Sequence, residues 1–494
     1  MRKRASAEIT VFFSLIIIMI FTLIFTLLES ARAEGLRLKA SMCANSSIES
    51  VFASYDRYLW EDYGLLLFCD KRGNASELKE IALEYAKKNS GPKFIGNSFL
   101  SFSADDVVVN NYILATDDKG NVFKNAVCDY MKNAGIAEGI LDVANDTDLS
   151  GAFDEDIFNS EGEIDFSKIT RNIEEAENEK DDAVEKNREA EEPLENDAEN
   201  KQAAEKTYKN LLSRLSDFKK RGFLSLVSVD AGKVSEETYE LSDAPSSLSN
   251  SEKSRKDGVV PDGTFDKILF SEYLMRQFDC YTDDGYENLQ IEYLLSGKDS
   301  DLSNLYSVAN KLVAVRTGLN LAFMFGSARC KADVMAIATA LVGWFLIPGL
   351  VNAVQKIILI IWSIAEAVAD VKALFAGGKI PIIKSEGDLQ ISLSQAAGGN
   401  SSGGGCSKGL NYKEYLRGLL YIEDNSEVSY RAMDIIQMHI RKAEPAFTMK
   451  NCIYGANISL NISASSIFPY LPKKLGYSHR IGAGYSYGTV EKFY

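Results

Sequence analysis

The spacing of apolar residues changes several times along the chain, and each change predicts an element. Residues 9–28 form an apolar run of 20 positions without a charge. That is about 30 Å of helix at about 1.5 Å per residue, enough to span a bilayer. Beyond Glu29 the apolar and small positions, among them Leu36, Leu38, Met42 and Ile48, keep helical spacing, so the same helix is expected to continue as a stalk towards Tyr63. The run Tyr63-Gly64-Leu65-Leu66-Leu67-Phe68 reads as a turn into a buried strand, and residues 101–114, with Val107, Val108 and Val109, as a second strand. Helical patterns cover 77–88 and 123–134.

Residues 166–220 carry sparse apolar positions (Ile169, Ile173, Ala176, Ala183 and Val184, then Tyr208, Leu211, Leu215 and Phe218) in an Ala/Glu/Lys-rich background. Two helices are expected, broken near Pro193, as a charged helical hairpin or arm; a disordered linker is the alternative. Residues 223–229 resemble a strand and 242–263 a loop. Helices are then expected over 288–295, 302–321, 333–354 and 357–375.

The stretch 335–354 carries no charge, but Pro348 and Gly349 interrupt it, and Glu366 and Asp370 follow. Carboxylates are costly in lipid, so a buried core hairpin is favoured over a second membrane hairpin across 335–375. The Gly/Ser run 398–409 has linker chemistry. Helices over 412–421 and 430–442, an alternating half-buried strand over 453–462 and a last strand within 477–494 complete the pattern.

The chain has 494 residues, 46% of them hydrophobic, and a net charge of −16. It is long enough for more than one core. Its acidity excludes a nucleic-acid partner, which would need clustered Lys and Arg. Most of the excess sits in 161–206, with 17 acidic against 7 basic residues. Arg2, Lys3 and Arg4 precede the apolar run, which places the N-terminus in the cytoplasm and the bulk outside the cell membrane. A cleaved secretory signal is the rival; its apolar region would be shorter, and Ala31-Arg32-Ala33 is followed by unbroken helical pattern. A prepilin-type leader, with Glu8 at the edge of the stem, lacks a glycine at the expected cleavage point.

No catalytic, cofactor-binding or metal-binding residues emerge. The seven cysteines (Cys43, Cys69, Cys128, Cys280, Cys330, Cys406, Cys452) show no CxxC spacing, and an odd count leaves at least one thiol unpaired. His439 and His479 have no ligand-spaced partner. Gly405-Cys406-Ser407-Lys408-Gly409 lacks the order of a phosphate loop. Asp105-Asp106 and Asp283-Asp284 are candidate carboxylate pairs, for calcium or glycoside hydrolysis, whose ordinary state is solvated. Glu292, Arg316, Glu366, Asp370 and Lys372 flank apolar helices and are read as interior pairs that fix packing.

Several segments carry a resemblance. They include Ile9-Thr10-Val11-Phe12-Phe13-Ser14-Leu15, Leu28-Glu29-Ser30-Ala31-Arg32, Ser54-Tyr55-Asp56-Arg57 and Glu61-Asp62-Tyr63-Gly64-Leu65. Further on come Ile291-Glu292-Tyr293-Leu294-Leu295, Val315-Arg316-Thr317-Gly318-Leu319-Asn320, Asp370-Val371-Lys372-Ala373-Leu374 and Tyr412-Lys413-Glu414-Tyr415-Leu416-Arg417. Together they resemble a family of uncharacterised membrane-anchored surface proteins of Gram-positive bacteria. Its N-terminus is similar to the pseudopilin-like (TadE/TadG-like) proteins of tight-adherence, Flp-type pilus systems. The residue before Ile9 departs from the Gly-Ser start usual there.

The expectation is therefore an α+β, predominantly helical protein with an N-terminal transmembrane helix and an extracytoplasmic domain bearing a charged arm. Its segments are 1–28 (basic tip and anchor), 29–165 (stalk helix and α+β region), 166–220 (acidic arm), 221–397 (helical core with apolar hairpin), 398–409 (linker) and 410–494 (C-terminal α+β region). The resemblance implies a non-enzymatic partner of pilus or secretion-system proteins in the bilayer, without cofactors. A cell-envelope hydrolase or glycan-binding protein using loop carboxylates is the alternative.

Overall fold

A computed structural model of the chain describes residues 2–91, 99–134, 164–186, 195–223, 227, 234–235, 238–239, 242–253, 263–284, 289–343, 348–399, 404–423, 425–465, 467 and 477–487. In chain order the helices are α1 (Arg2–Phe52), α2 (Arg57–Tyr63), α3 (Ser76–Ser90), α4 (Asn121–Asn133), α5 (Phe166–Lys186), α6 (Glu195–Arg221) and α7 (Thr264–Gln277). They continue with α8 (Gln290–Ser296), α9 (Asp301–Gly326), α10 (Ala328–Val342), α11 (Pro348–Phe375), α12 (Tyr412–Ile422) and α13 (Asn425–Arg441). The strands are β1 (Phe68–Cys69), β2 (Ser103–Leu114), β3 (Cys452–Ala464) and β4 (Tyr477–Ser486). The protein is α+β and predominantly helical. It forms two compact units, one of Met1–Ile136, Ser242–Asp266 and Ala432–Tyr494, the other of Ala137–Leu241 and Lys267–Arg431.

In the first unit, α1 changes character along its length. From Glu29 its buried positions are Arg32, Ala33, Leu36, Ala40, Cys43, Ala44, Ser47, Ile48 and Val51, recurring every three or four residues on one face. That face lies on an antiparallel sheet. β3 is the central strand, with β2 along one edge and β1 followed by β4 along the other. Ala456, Ile458, Leu460 and Ile462 of β3 join Leu36, Ala40, Ala44, Ile48 and Phe52 of α1 and Leu78, Ala82 and Ala86 of α3 in one core. The alanines remove bulk where helix meets sheet, so the backbones pack closely.

The alternation over 453–462 predicts a half-buried strand, yet Ser459 is buried too, and Asn457 and Asn461 are only partly exposed. β3 is flanked on both edges, and Asn110 of β2 donates to the Ser459 hydroxyl at 2.7 Å. Polar side chains on a central strand are buried with their partners. The expected strand after Tyr63 shrinks to β1: Asp56 caps α2, Gly64 ends it in the left-handed region at φ 68°, and Leu65 and Leu67 are buried before the two-residue strand. A disulfide, Cys69–Cys452, joins β1 to β3.

The second unit is built round α11. Its residues 357–371 are buried, with α9 and α10 packed against it. The break expected between 354 and 357 does not occur. Pro348 instead begins the helix, because a first-turn residue needs no amide donor and proline's φ is already helical. The two helices of the expected arm are present as α5 and α6, with Pro193 outside the described residues. Ile169, Ile173 and Ala176 of α5 and Ala204, Tyr208, Leu211, Leu215 and Phe218 of α6 are buried, and both helices contact α11. Their apolar stripes are thus part of the core. Of the expected strand 223–229, Phe223 is helical and Val227 lies in a turn; the rest is outside the described residues.

The Gly/Ser stretch is more ordered at its end than linker chemistry predicts. Cys406 and Leu410 form bridges with Lys379 and Ile380, and the amides of Gly404 and Gly405 donate to Gln390 Oε1, each at 3.1 Å. Gly409, at φ 132°, lies so close to Ile380 and Pro381 that a Cβ would clash with backbone, which is why glycine stands there.

Candidate functional site

The most distinctive surface of the first unit is the stem. From Ile9 to Leu28 α1 carries apolar side chains and a few serine and threonine hydroxyls, most of them exposed; Phe12, Leu15, Met19, Leu23 and Leu27 are each about 60–70% exposed. Among the described residues this is the one helix long and apolar enough to cross a membrane, with a mean hydropathy of 2.9 and no buried residue over its most apolar window. Directly beyond it, the exit charges form a collar. Arg32 Nη1 donates to Glu29 Oε1 at 2.8 Å and to the Ser465 carbonyl at 3.1 Å, while its Nε donates to the Phe99 carbonyl at 2.6 Å. Both side chains are almost fully buried. Seven residues on, Lys39 donates to the Leu100 carbonyl at 3.0 Å and lies over the Phe102 ring. A basic face of α1 is thereby tied to the chain around 99–102, so the stem leaves the domain as a fixed helix.

In the second unit the residues flanking the apolar helices converge. Arg316 on α9 donates through Nε to Asp370 Oδ2 at 3.0 Å, through Nη1 to Tyr415 and the Pro381 carbonyl, each at 3.0 Å, and through Nη2 to Asn320 at 2.9 Å. Lys384 donates to Asp370 Oδ1 at 2.6 Å and also to Glu366, whose oxygens further accept the Gln390 and Ile391 amides. Two cations face two carboxylates, all with essentially no solvent contact. Burial pushes Glu366 above its ordinary range despite the Lys384 charge. Burial also opposes the charge on Arg316, but Asp370 and Tyr415 outweigh it and hold the guanidinium firmly protonated.

Sequence reading groups Glu292, Arg316, Glu366, Asp370 and Lys372 as interior pairs; the structure brings Arg316, Glu366 and Asp370 together and places Glu292 elsewhere. Lys384 joins the three from a non-helical segment with no periodicity to reveal it. Asn320 and Tyr415 were missed as well; Asn320 lies one turn from Arg316, the available signal.

Glu292 stands apart from this network. It is fully buried, its Oε1 accepts from Tyr412 OH at 2.8 Å and the Tyr281 amide at 3.0 Å, and Oε2 has no hydrogen-bond partner. Burial raises its pKa from 4.5 to about 7. A carboxyl whose pKa is raised on folding favours the folded state while it holds its proton. That stability is complete below about 4.5 and is lost as pH rises through about 7, by roughly 3 kcal/mol at about 1.4 kcal/mol per pH unit. Glu292→Gln is expected to flatten this part of the stability profile and to raise the unfolding midpoint at pH 8 relative to the parent. Urea unfolding at pH 5 and pH 8 checks it, and parallel profiles for the two proteins would contradict it.

The remaining candidates have ordinary partners. Asp106 pairs with Lys79 and Asp283 with Lys413 at partly exposed positions. His439 is exposed, its Nδ1 hydrogen-bonded to Tyr63 OH at 2.8 Å. The Glu8 side chain lies outside the described residues. Among those described, no group of three His, Cys, Asp or Glu is placed to hold a metal ion. Burial pushes the Cys128 and Cys280 thiols up to about 12, which keeps them protonated and poor nucleophiles.

These features define an α+β, predominantly helical protein whose long N-terminal helix presents an apolar stem and then packs on a sheet. Residues 201–464 match a family of unknown function (DUF5702), and the chain belongs to that family. The match runs from α6 through β3. The chain matches no curated protein and no solved structure.

Proposed function

We propose that the protein is a single-pass, membrane-anchored component of the cell envelope that acts by binding other proteins, in a tight-adherence type pilus or secretion apparatus, and not by catalysis. The observation that carries this reading is the continuity of α1. One helix exposes an apolar stem and, within the next turn, buries its charges in a collar on the domain. Such a helix couples the position of the domain to whatever the stem packs against. The bulk lies outside the cytoplasm: Arg2, Lys3 and Arg4 precede the stem, and the Cys69–Cys452 disulfide suits an oxidising compartment. The resemblance of the N-terminus to pseudopilin-like proteins supplies the setting.

The test is cross-linking in intact cells of the source organism, followed by purification of the full chain and identification of its partners. Recovery of pilus or secretion-apparatus proteins through stem-specific cross-links is expected. Recovery of none of them, from a chain that is in the membrane, would overturn the pilus assignment. Labelling of Cys406, the half-buried thiol, by a membrane-impermeant reagent after mild denaturation checks orientation; protection until lysis would reverse it.

A further inference from the structure

Three carboxylates of the first unit line one cleft and take no part in the collar. The cleft holds about 360 Å³, and its walls include Asp56, Asp70, Lys71, Glu444, Pro445 and Phe447, from the start of α2, the residues after β1 and the loop after α13. Local backbone accounts for part of each aspartate. Asp56 Oδ1 accepts the Leu59 amide at 3.0 Å as the cap of α2. Asp70 Oδ1 accepts the amides of Arg72, Gly73 and Glu77 at 3.1, 3.2 and 3.3 Å. Asp70 is only 1% exposed, yet its Oδ2 has no hydrogen-bond partner, and buried polar atoms are ordinarily satisfied.

The charge on these walls is also unbalanced. Glu444 has one ion pair, at 3.5 Å, to Lys71, a mostly exposed lysine, and the adjacent Arg72 is taken by Glu80 at 2.7 Å. Burial raises the Asp56 pKa, the Leu59 amide holds it down, and the charge of Glu444 raises it further. Among the described residues no three such groups are placed to hold a metal ion, which needs its oxygens within about 2.6 Å. A cation that brings its own N–H donors reaches further, to about 2.9 Å from each oxygen, and donates along defined directions. The volume is at the small end of the range for ligand sites, roughly 300–1,000 Å³, which suits one side chain. Pro445 and Phe447 give the same cleft an apolar wall, against which an alkyl stem can lie.

We propose that this cleft docks one basic side chain, lysine or arginine, of a partner protein. The inference rests on the reading that the protein acts by binding other proteins, and it supplies the chemistry of one contact. The positive group bridges Asp56 and Glu444 and supplies the donor that Asp70 Oδ2 lacks, while its stem packs on Pro445 and Phe447.

The experiment uses the purified full chain in detergent micelles and three blocked tripeptides, with lysine, arginine or norleucine between two glycines. Saturation-transfer NMR titrations are run at about 150 mM salt, where diffuse attraction to an acidic surface is screened. The lysine and arginine peptides should bind at least about ten-fold more tightly than the norleucine peptide. Glu444→Gln and Asp56→Asn, in which asparagine keeps the helix cap, should each weaken the basic peptides at least about five-fold. Glu84→Gln, on the exposed face of α3, should change nothing. Failure of both basic peptides to bind, equal binding of the norleucine peptide, or an equal loss in Glu84→Gln would overturn the proposal. Tighter binding of putrescine than of either peptide would also overturn it, by assigning the cleft to a small free amine. A chain that recovers apparatus proteins in cells but binds neither basic peptide defeats only the cleft, whereas one that binds the peptides and recovers no apparatus protein keeps the cleft and loses the pilus setting.

Discussion

Lys384→Ala is expected to destabilise the second unit by about 3–5 kcal/mol, the largest single-residue effect predicted for this protein. The lysine is the cation that Glu366 and Asp370 share, and neither carboxylate has access to water that could replace it. Asp370 would keep Arg316, but Glu366 would be left with two amide donors and no counter-charge. Burial raises its pKa even with Lys384 beside it, and losing that charge removes a factor that lowers it. The variant should therefore take up a proton at Glu366 on folding, so its deficit should be smaller at pH 5 than at pH 8. Denaturant midpoints at the two pH values measure this, with Lys413→Ala as the reference. That lysine's pair with Asp283 is about one-third exposed, and its loss should cost less than about 1 kcal/mol. Equal midpoints for the two variants would show that the buried network contributes no more than a surface pair.

Removing the Cys69–Cys452 disulfide by a double change to alanine should cost the first unit about 4 kcal/mol. The two cysteines are 383 residues apart, so the cross-link closes a very long loop of the unfolded chain. The chain-entropy estimate for such a loop is about 6 kcal/mol, and measured disulfides commonly deliver about 2–5 kcal/mol. The native chain in excess reductant should approach the midpoint of the variant, and the variant should not respond to reductant at all. An unchanged midpoint for the native chain under reduction would mean that the strand pairing holds that end of the sheet unaided. β1 has only two residues, and both pair with β3, so the covalent bond is expected to dominate there.

How much of this was legible depended on whether the signal was local. The stem, its continuation as α1, the helices α5 and α6, β2 and most helices of the second unit follow from period and capping, properties of neighbouring residues. The interior charges were foreseen as interior because they interrupt apolar helices. Their exact partners were not, because Lys384 comes from a loop and its distance from Glu366 is set by how that loop crosses α11. Nor could any one of the possible cysteine pairings be chosen, since strands at opposite ends of the chain bring Cys69 and Cys452 together.

By itself, then, the sequence determined where this protein can meet a membrane and which segments are helix or strand, since apolar run length and periodicity act over a few turns at most. Tertiary structure decided the rest. It returned 432–494 to the first unit by placing β3 between β2 and β4, and it turned the apolar stripes of an acidic arm into core against α11. It also brought Lys384 onto Glu366 and Asp370. Each of these is a contact between residues far apart in the chain, and such contacts are fixed by which packing buries the most apolar surface while leaving no charge alone.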